Sequence, residues 1–463
     1  FSNLDPADPR KALAKLGADP AERSAKAPTE REKGFLAAVE ALWGEGDSAA
    51  RKIAYVEAMD RLHQRYPDDD EVAAFYALAL LSAAEALGND DLRHNVRAGA
   101  IALDIFARRP DHPGAAHYVI HAFDDPVHAP IALEAARRYA EIAPAVSHAR
   151  HMPSHIFIQR GMWREVSASN VSAFAAARDL WEPGDSVADM VHSLDWGHYG
   201  DLQRGDLEQA RHWREELEKI VTESKSDPRA ASTLTLLEAR RLVETETWEV
   251  RPLDDATATP EIFTTGLSAA KLGQLAVARR ATALLEARAK QPGDRYDGGG
   301  DTARVMRLEV EALVQLATGR RDAAIAALDE GRTIAESMGP PAGPASPVKP
   351  IHELYGEVLL ELGRPDRAAE LFRASLERTP ERPLSLRGLA RALELAGQTE
   401  RSRETWSRLL EVREHRPTAL GVEEAKRALS AAGVPSAAAS PPVKRDSDPP
   451  PRGGDAHDHG DHR

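Results

Sequence analysis

The sequence predicts an all-α fold in which helical hairpins repeat along the chain. Apolar residues make up 42% of the 463 residues and aromatic residues only 5%, a balance that favours helices packed through small side chains over a β-sandwich. Apolar positions recur with the helical period, and no stretch shows the two-residue alternation of a strand. Because the length exceeds that of one globular core, we expect an extended repeat array.

The first part of the chain is expected to lead irregularly into the repeats. Residues 1–28 are rich in Asp, Pro, Ala and Lys, and only 11–17 predict a short helix. Thr29 followed by Glu32 has the pattern of a capping box, which opens a helix. We assign residues 29–337 to a helical-repeat body.

The repeat pattern is clearest toward the C-terminus, in residues 351–433. Gly363 and Gly397 lie 34 residues apart, as do Phe372 and Trp406. That period is the tetratricopeptide one, with two antiparallel helices per repeat, a glycine at the tight turn and an aromatic side chain between helices. Looser copies of the pattern centre on Gly161, Gly205, Gly273 and Gly319. Since some copies are spaced 44 or 46 residues apart, we expect an irregular solenoid.

Two segments break the helical pattern. Residues 338–350 contain five prolines and are predicted as a stiff, extended connector between neighbouring repeats. Residues 434–463 combine Pro, Gly, His and charged residues with almost nothing apolar. We therefore expect a disordered C-terminal tail.

Composition excludes some partners and some ligands. The formal net charge is -14 and no long Lys/Arg run occurs, which argues against a nucleic-acid partner. No apolar stretch approaches the about 18 residues of a transmembrane helix, so we expect a soluble protein. The sequence has no cysteine, which restricts metal ligands to His, Asp and Glu. Together with a start at Phe1 that lacks a leader, this composition fits a processed, periplasmic or otherwise exported protein.

Histidines are concentrated in one part of the body, with seven of the 17 between residues 112 and 155. Residues 113–124 predict one short helix, on which His117, His121 and Asp124 share a stripe about 60° wide. The rest of this helix is apolar, so it should be buried and its polar groups need partners. Coordination of one metal ion is one possibility, and hydrogen bonds to backbone carbonyls or carboxylates are the other.

A second histidine group follows at His148, His151 and His155. The last two are again four residues apart, but Pro153 lies between them. If the helix begins at Pro153, His151 lies outside it and the two rings do not share a face. If the helix continues, Pro153 kinks it next to the site. The sequence leaves both alternatives open.

A third candidate stripe lies on the first helix of the next repeat. His192, Asp195, Trp196 and Tyr199 share one face of that helix. Because the first helices of successive repeats line the concave surface of a solenoid, we expect the three stripes to converge there. The alternative is that Trp196 and Tyr199 only pack in the groove, while His192 and Asp195 form an ordinary hydrogen-bonded pair.

These histidine motifs resemble those of a family of bacterial tetratricopeptide-repeat proteins that are usually exported. The likeness covers residues 29–412 and is specific at "HPGAAHYVIHAFD" and "SHARHMPSHIF", which match the patterns HPGAAHYxIHAxD and HAxHMPSHIF. The resemblance implies a helical solenoid with the histidine motifs as its hallmark, and Arg240 as a functional basic residue. The site residues that it implies are His117, His121, Asp124, His148, His151, His155, His192 and Asp195.

The sequence leaves two functions open. The first is a transition-metal centre in the concave groove, holding Cu, Zn or Fe through imidazole and carboxylate ligands. It requires His117 and His151 to lie within reach of a shared ion, and five imidazoles would permit two ions. Such a centre would activate water or bind dioxygen, so enzyme activity is undecided. The second function is a scaffold whose groove binds a protein or peptide partner without catalysis.

Overall fold

The structure, a computed structural model, describes residues 6–87, 92–291 and 300–431. The all-α prediction is confirmed, because these residues form successive helices and no strand occurs among them. The first helices are α1 (Ala7–Leu16), α2 (Pro20–Lys26), α3 (Glu30–Leu42), α4 (Ser48–Arg65), α5 (Asp70–Leu87), α6 (Arg93–Arg108), α7 (Pro113–Ala122), α8 (Ala129–Ile142), α9 (Ser147–His151), α10 (Pro153–Gln159), α11 (Trp163–Leu180) and α12 (Ala188–Arg204). They are followed by α13 (Leu207–Glu223), α14 (Pro228–Thr245), α15 (Thr259–Lys271), α16 (Leu275–Ala289), α17 (Gly300–Ala317), α18 (Arg321–Ser337), α19 (Ile351–Glu361), α20 (Pro365–Arg378), α21 (Pro383–Leu395), α22 (Thr399–Val412) and α23 (Val422–Ala431).

The lead-in, expected to be irregular apart from one short helix, contains the two helices α1 and α2. α2 is capped by Asp19, whose carboxylate accepts the backbone N–H of Glu22 at 2.8 Å. The predicted capping box of α3 is present: the Thr29 hydroxyl accepts the N–H of Glu32 at 3.2 Å, and the Glu32 carboxylate accepts the N–H of Thr29 at 3.0 Å. A cap of this kind contributes about 1 kcal/mol to helix stability.

The turns of the repeats are made by glycines in the left-handed region. Gly363 between α19 and α20 has φ 69°, and Gly397 between α21 and α22 has φ 73°. The looser copies turn in the same way, at Gly161, Gly205, Gly273 and Gly319. Phe372 fills the space between Gly356 and Gly388, where an added Cβ would come within 2.8 and 2.2 Å of its ring. These contacts explain the 34-residue pattern of the sequence.

The chain curves so that its C-terminal repeats contact the helices that carry the histidines. Trp163 on α11 donates its indole N–H to the carbonyl of Glu381 at 3.1 Å. Arg204 at the end of α12 pairs with Glu414 at 2.9 Å. Both contacts join segments more than 200 residues apart. The positions of α11 and α12 therefore depend on repeats at the far end of the described chain.

A buried ion-pair network joins three helices that are distant in sequence. Arg382, the residue before α21, donates to Glu353 on α19 at 2.8 Å and to Glu244 on α14 at 2.6 Å. Ser385 on α21 also donates to Glu353, at 2.6 Å. All four residues are buried. Each charge thus depends on its partners for stabilisation in the interior.

Two further expectations concern membrane-spanning helices and the C-terminal tail. Within the described ranges, no helix combines the length and the apolarity that a membrane span requires. The tail predicted to be disordered, residues 434–463, lies outside the described residues.

Candidate metal centre

Three histidine side chains from α7 and α9 meet at their Nε2 atoms. His117 and His121, one helical turn apart on α7, have Nε2 atoms 3.0 Å from each other. His148 on α9 places its Nε2 3.1 Å from that of His117. We call these three residues the first triad. His148 is exposed, whereas the two residues on α7 are partly buried.

A second set of three histidines lies on α9, α10 and α12. The Nε2 atoms of His151 and His155 are 3.2 Å apart, and the ring of His192 on α12 lies 4.3 Å from that of His151, centroid to centroid. We call these three residues the second triad. In each triad, one ligand atom per residue lies within 4.8 Å of the other two.

The backbone around Pro153 explains how the second triad forms. Met152, which separates α9 from α10, keeps right-handed helical angles, with φ -52° and ψ -36°. The chain therefore continues in helical conformation through Pro153, although the proline has no N–H to donate. As a result, the rings of His151 and His155 meet although α10 begins at Pro153, so neither of the two alternatives that the sequence left open holds in full.

The expectation that His117 and His151 share one ion is not what the structure shows, because they belong to different triads. His148 and His151 lie three residues apart on α9. His148 belongs to the first triad and His151 to the second. The two triads are nevertheless neighbours, since the rings of His121 and His155 are 6.1 Å apart. The histidines therefore form two adjacent groups rather than one.

Asp124 lies outside both triads but fixes one of their members. α7 ends at Ala122 rather than at 124 as predicted, and Asp124 follows the helix. Its carboxylate accepts the Nδ1–H of His155 at 2.7 Å, and its other oxygen accepts from Gln159 at 3.3 Å. A carboxylate behind a ligand histidine sets the tautomer and raises the basicity of the ligating nitrogen. Asp124 therefore holds the ring of His155 through Nδ1, while its Nε2 is directed at Nε2 of His151.

Asn170 on α11 accepts a hydrogen bond from Nδ1 of His151, as Asp124 does from His155. This residue was not predicted from the sequence. The amide Nδ2 of Asn170 donates to the carbonyl of Val166 at 2.7 Å, which leaves Oδ1 to accept from Nδ1 of His151 at 2.7 Å. Nε2 of His151 is then the lone-pair nitrogen that faces the triad. No local pattern signals this pairing, because Asn170 lies 19 residues from His151 on another helix.

Asp195, predicted as a metal ligand, is directed elsewhere. Its carboxylate accepts from the guanidinium of Arg240 on α14, and both side chains are buried. Asp195 is in neither triad. A buried arginine is always charged, so it needs a carboxylate partner. Arg240, implied by the resemblance to be functional, therefore serves here as the partner of Asp195.

Aromatic side chains surround the histidine rings. The buried Trp196 contacts all three rings of the second triad, with centroid distances of 4.5 Å to His155, 5.0 Å to His151 and 5.7 Å to His192. In the first triad, Tyr139 stacks on His117 at 5.3 Å with an interplanar angle of 12°. Such a shell limits the access of water and keeps the rings in fixed orientations.

Desolvation lowers the pKa of three of the triad histidines, His117, His148 and His151. Desolvation, followed by the charges of His121 and His148, lowers the pKa of His117 from 6.5 to about 2. Burial also lowers the pKa of His151 well below its ordinary value, and His192 and His155 add to the effect. The pKa of His148 is lowered as well, chiefly because its ring is desolvated against its neighbours. Neutral imidazole is the form that binds a metal ion.

The proline-rich segment lies directly against the second triad. Its Gly343 contacts Trp196 so closely that an added Cβ would lie 2.8 Å from the indole ring. The carbonyl of Pro341 accepts from Gln159 at 3.1 Å, and Ala345 is buried with the α7–α12 core. Residues 338–350, predicted as a connector between repeats, therefore also pack beside the histidines.

A small cavity borders the other side of the second triad. It lies between α12 and α14, is lined by His192, Val191, Ser232 and Leu236 among others, and has a volume of about 20 Å³. A cavity of this volume holds one water-sized molecule. A small ligand therefore has space next to His192.

Comparison with known proteins identifies the repeat type in part of the chain. A family profile described as tetratricopeptide repeat matches residues 359–420. In a sequence comparison with curated proteins, nothing matches this chain.

Among solved structures, the chain is similar to human IFIT1 in two dimer structures. The dimer with m7Gppp-AAAA has 14% sequence identity and a TM-score of 0.40, with 92% of this chain and 87% of that chain covered. The dimer with PPP-AAAA has 13% identity and a TM-score of 0.38, with coverages of 92% and 88%. The profile match is the more specific finding, and the matched segment, residues 359–420, includes α20, α21 and α22.

Proposed function

We propose that this protein binds two transition-metal ions, one in each histidine triad. The observation that carries the proposal is the convergence of six imidazoles from α7, α9, α10 and α12 into two groups of three. Metal–nitrogen bonds of about 2.0–2.1 Å place tetrahedral ligands about 3.3 Å apart. The Nε2 separations of 3.0 to 3.2 Å in the pairs His117–His121, His117–His148 and His151–His155 are close to that spacing.

The surroundings of the triads support this proposal over ordinary hydrogen bonding. Three pairs of ring nitrogens, His117–His121, His117–His148 and His151–His155, face each other through Nε2 at 3.0 to 3.2 Å, and a nitrogen lone pair is a poor partner for another lone pair. A metal ion between them satisfies all three nitrogens at once. Asp124 and Asn170 hold the Nδ1 atoms of His155 and His151, as expected for groups behind ligand histidines.

The donor set favours copper or zinc over iron. Each triad offers imidazole nitrogen and no carboxylate, whereas many non-haem iron sites use two histidines and one carboxylate. Three protein ligands also leave a coordination position open, which is typical of catalytic rather than structural sites. We therefore propose a site that binds an exogenous ligand at the metal.

Metal analysis of the purified full chain tests the proposal. After loading with copper or zinc and removal of excess metal, we expect two ions per chain. The variants His121→Asn and His192→Asn should each hold one ion, and the double variant none. The matched control is His212→Asn, an exposed histidine on α13, which should hold two. Fewer than two ions in the unmodified chain, or no loss in the triad variants, contradicts the proposal.

A second candidate function is a scaffold for a protein or peptide, which the tetratricopeptide match at 359–420 favours. A partner recovered equally well with and without a chelator would support a scaffold that does not need the triads.

We also propose that the protein is exported from a bacterial cell. The sequence has no cysteine, so the protein has no thiol that a reducing compartment would have to keep reduced. Fractionation of the source cells should then place the protein outside the cytoplasm.

A further inference from the structure

The two triads lie side by side, and this arrangement extends the proposed function. We propose that both ions are copper and that the pair binds one molecule of dioxygen between them; this inference rests on the two-ion proposal above. α7 contributes His121 to one triad and α10 contributes His155 to the other, with ring centroids 6.1 Å apart. His148 of the first triad and His151 of the second lie three residues apart, on adjacent sides of the short helix α9.

The ligands select copper because they are six uncharged nitrogen donors. Imidazole suits copper and zinc, whereas Mg²⁺, Ca²⁺ and Mn²⁺ prefer carboxylate and water oxygens. Paired hydrolytic sites commonly hold two divalent ions about 3.5–4 Å apart, and two ions so charged need anionic ligands. Neither triad includes a carboxylate. Neutral donors in a desolvated site therefore favour ions of low charge, such as Cu(I).

The charges around the triads lead to the same choice. Asp124 contacts the second triad through His155, and Asp189 acts electrostatically on His148 of the first. Asp195 is already paired with Arg240. Two Cu(I) ions bring two positive charges, half the charge of two divalent ions. Two divalent ions bring four, so they require a further bridging dianion.

Dioxygen supplies that dianion by a balanced reaction. Each Cu(I) gives up one electron, and the two electrons reduce dioxygen to peroxide, so two Cu(II) ions and one peroxide dianion result. Two copper–oxygen bonds form, the oxygen–oxygen double bond becomes a single bond, and no proton is taken up or released. The total charge of the site is the same before and after. A buried site with little solvent favours a reaction that leaves its charge unchanged.

The space beside the second triad suits a diatomic ligand. The cavity bordered by His192, Val191 and Leu236 has a volume of about 20 Å³, enough for a water-sized molecule. Trp196 contacts the rings of the triad and is itself in contact with Gly343. A diatomic molecule such as dioxygen therefore has room beside His192, in a cavity that Asp195 and Arg229 also line.

The test uses the full chain loaded without oxygen. Metal-free protein is reconstituted anaerobically with two equivalents of Cu(I), excess copper is removed, and air-saturated buffer is added. We expect uptake of one dioxygen per two coppers, a new near-ultraviolet absorption band, and a weak electron paramagnetic resonance signal because the two Cu(II) ions are coupled. His212→Asn should behave in the same way.

The outcomes separate this inference from the two-ion proposal. His192→Asn should bind one copper, lose dioxygen uptake, and on chemical oxidation give the full resonance signal of isolated Cu(II). If the unmodified chain binds two coppers but takes up no dioxygen, or gives the isolated signal, the inference is wrong while the two-ion proposal stands. If two zinc ions bind but fewer than two coppers do, the inference is also wrong. If neither metal reaches two per chain, both fail.

Discussion

The Asp124 carboxylate accepts the Nδ1–H of His155 at 2.7 Å, while Nε2 of the same ring faces His151 at 3.2 Å. One carboxylate just beyond the end of α7 thereby orients a ligand on α10, 31 residues later. Both side chains are largely buried, so the hydrogen bond is little affected by water. This relationship links the first histidine motif of the sequence to the second.

Removal of the Asp124 charge should weaken the second site without removing a ligand. We expect Asp124→Asn to lower the affinity of the second triad for metal by about 10- to 100-fold, the usual effect of losing a group behind a ligand histidine. Isothermal titration of the metal-free chain measures both sites. The first triad should keep its affinity, and so should both sites in Asp111→Asn, an exposed carboxylate paired with Arg138. Equal weakening of the two sites contradicts this prediction.

The metal-free chain should lose stability in mild acid. The pKa of His117 is about 2 in the folded state, against an ordinary value of 6.5. Because the unfolded chain then binds the proton first, this histidine has no effect above pH 6.5. Below that pH it destabilises the folded state by about 1.4 kcal/mol per pH unit.

Urea unfolding at pH 6.5 and 4.5 checks the size and the sign of this effect. We expect the free energy of unfolding to fall by about 2–3 kcal/mol more in the unmodified metal-free chain than in His117→Asn. His212→Asn, on the exposed face of α13, should keep the larger fall. An equal fall in all three proteins would mean that the ring of His117 is protonated in the folded state.

A methyl group added to the proline-rich segment should disturb the second triad through Trp196. In Gly343→Ala the new Cβ would lie 2.8 Å from the indole ring, so the ring must move, and it contacts all three histidines of that triad. We expect a loss of about 1–3 kcal/mol in stability and weaker metal binding at the second triad only. The first triad of the same molecule is the control. Unchanged binding at both sites would show that the segment does not support the site.

The buried arginine before α21 should be among the most sensitive positions for stability. In Arg382→Ala the carboxylates of Glu353 and Glu244 lose their common partner in the interior. We expect the free energy of unfolding to fall by about 3–5 kcal/mol. The comparison variant is Arg214→Ala, which breaks an exposed pair with Glu218 and should cost less than about 1 kcal/mol. Similar losses in the two variants would contradict this account.

Much of the architecture follows from local patterns. The glycines and aromatic residues at 34-residue spacing predict the hairpins of α19–α22, because a left-handed turn and a close helix crossing each demand one residue type at one place. The exact end of α7 was not predicted, since Phe123 and Asp124 fit a last helical turn as well as they fit a loop. In the lead-in, α1 overlaps the short helix predicted at residues 11–17, whereas α2 was missed because its sequence is short and mostly polar.

The six triad histidines are among the residues that the sequence singles out, whereas Asp124 and Asp195 lie in neither triad and the grouping follows only partly from the sequence. Helical periodicity pairs His117 with His121 in the sequence itself, since residues four apart share a face. It does not reveal that His148 joins them, nor that Asn170 supports His151, because those contacts cross between helices. Asp195 has the spacing expected of a metal ligand, but its ion pair with Arg240 depends on where α14 packs.

The sequence alone determined that the chain is a helical repeat, that it has no thiolate to offer a metal ion, and which histidines lie one turn apart. These properties depend on residue type and on spacing along one helix. The tertiary structure decided that the six rings divide into two triads, that Asp124 accepts a hydrogen bond from His155, and that the proline-rich segment packs against Trp196. Such contacts join helices that are far apart in sequence, and their geometry is set by packing and curvature rather than by any local period.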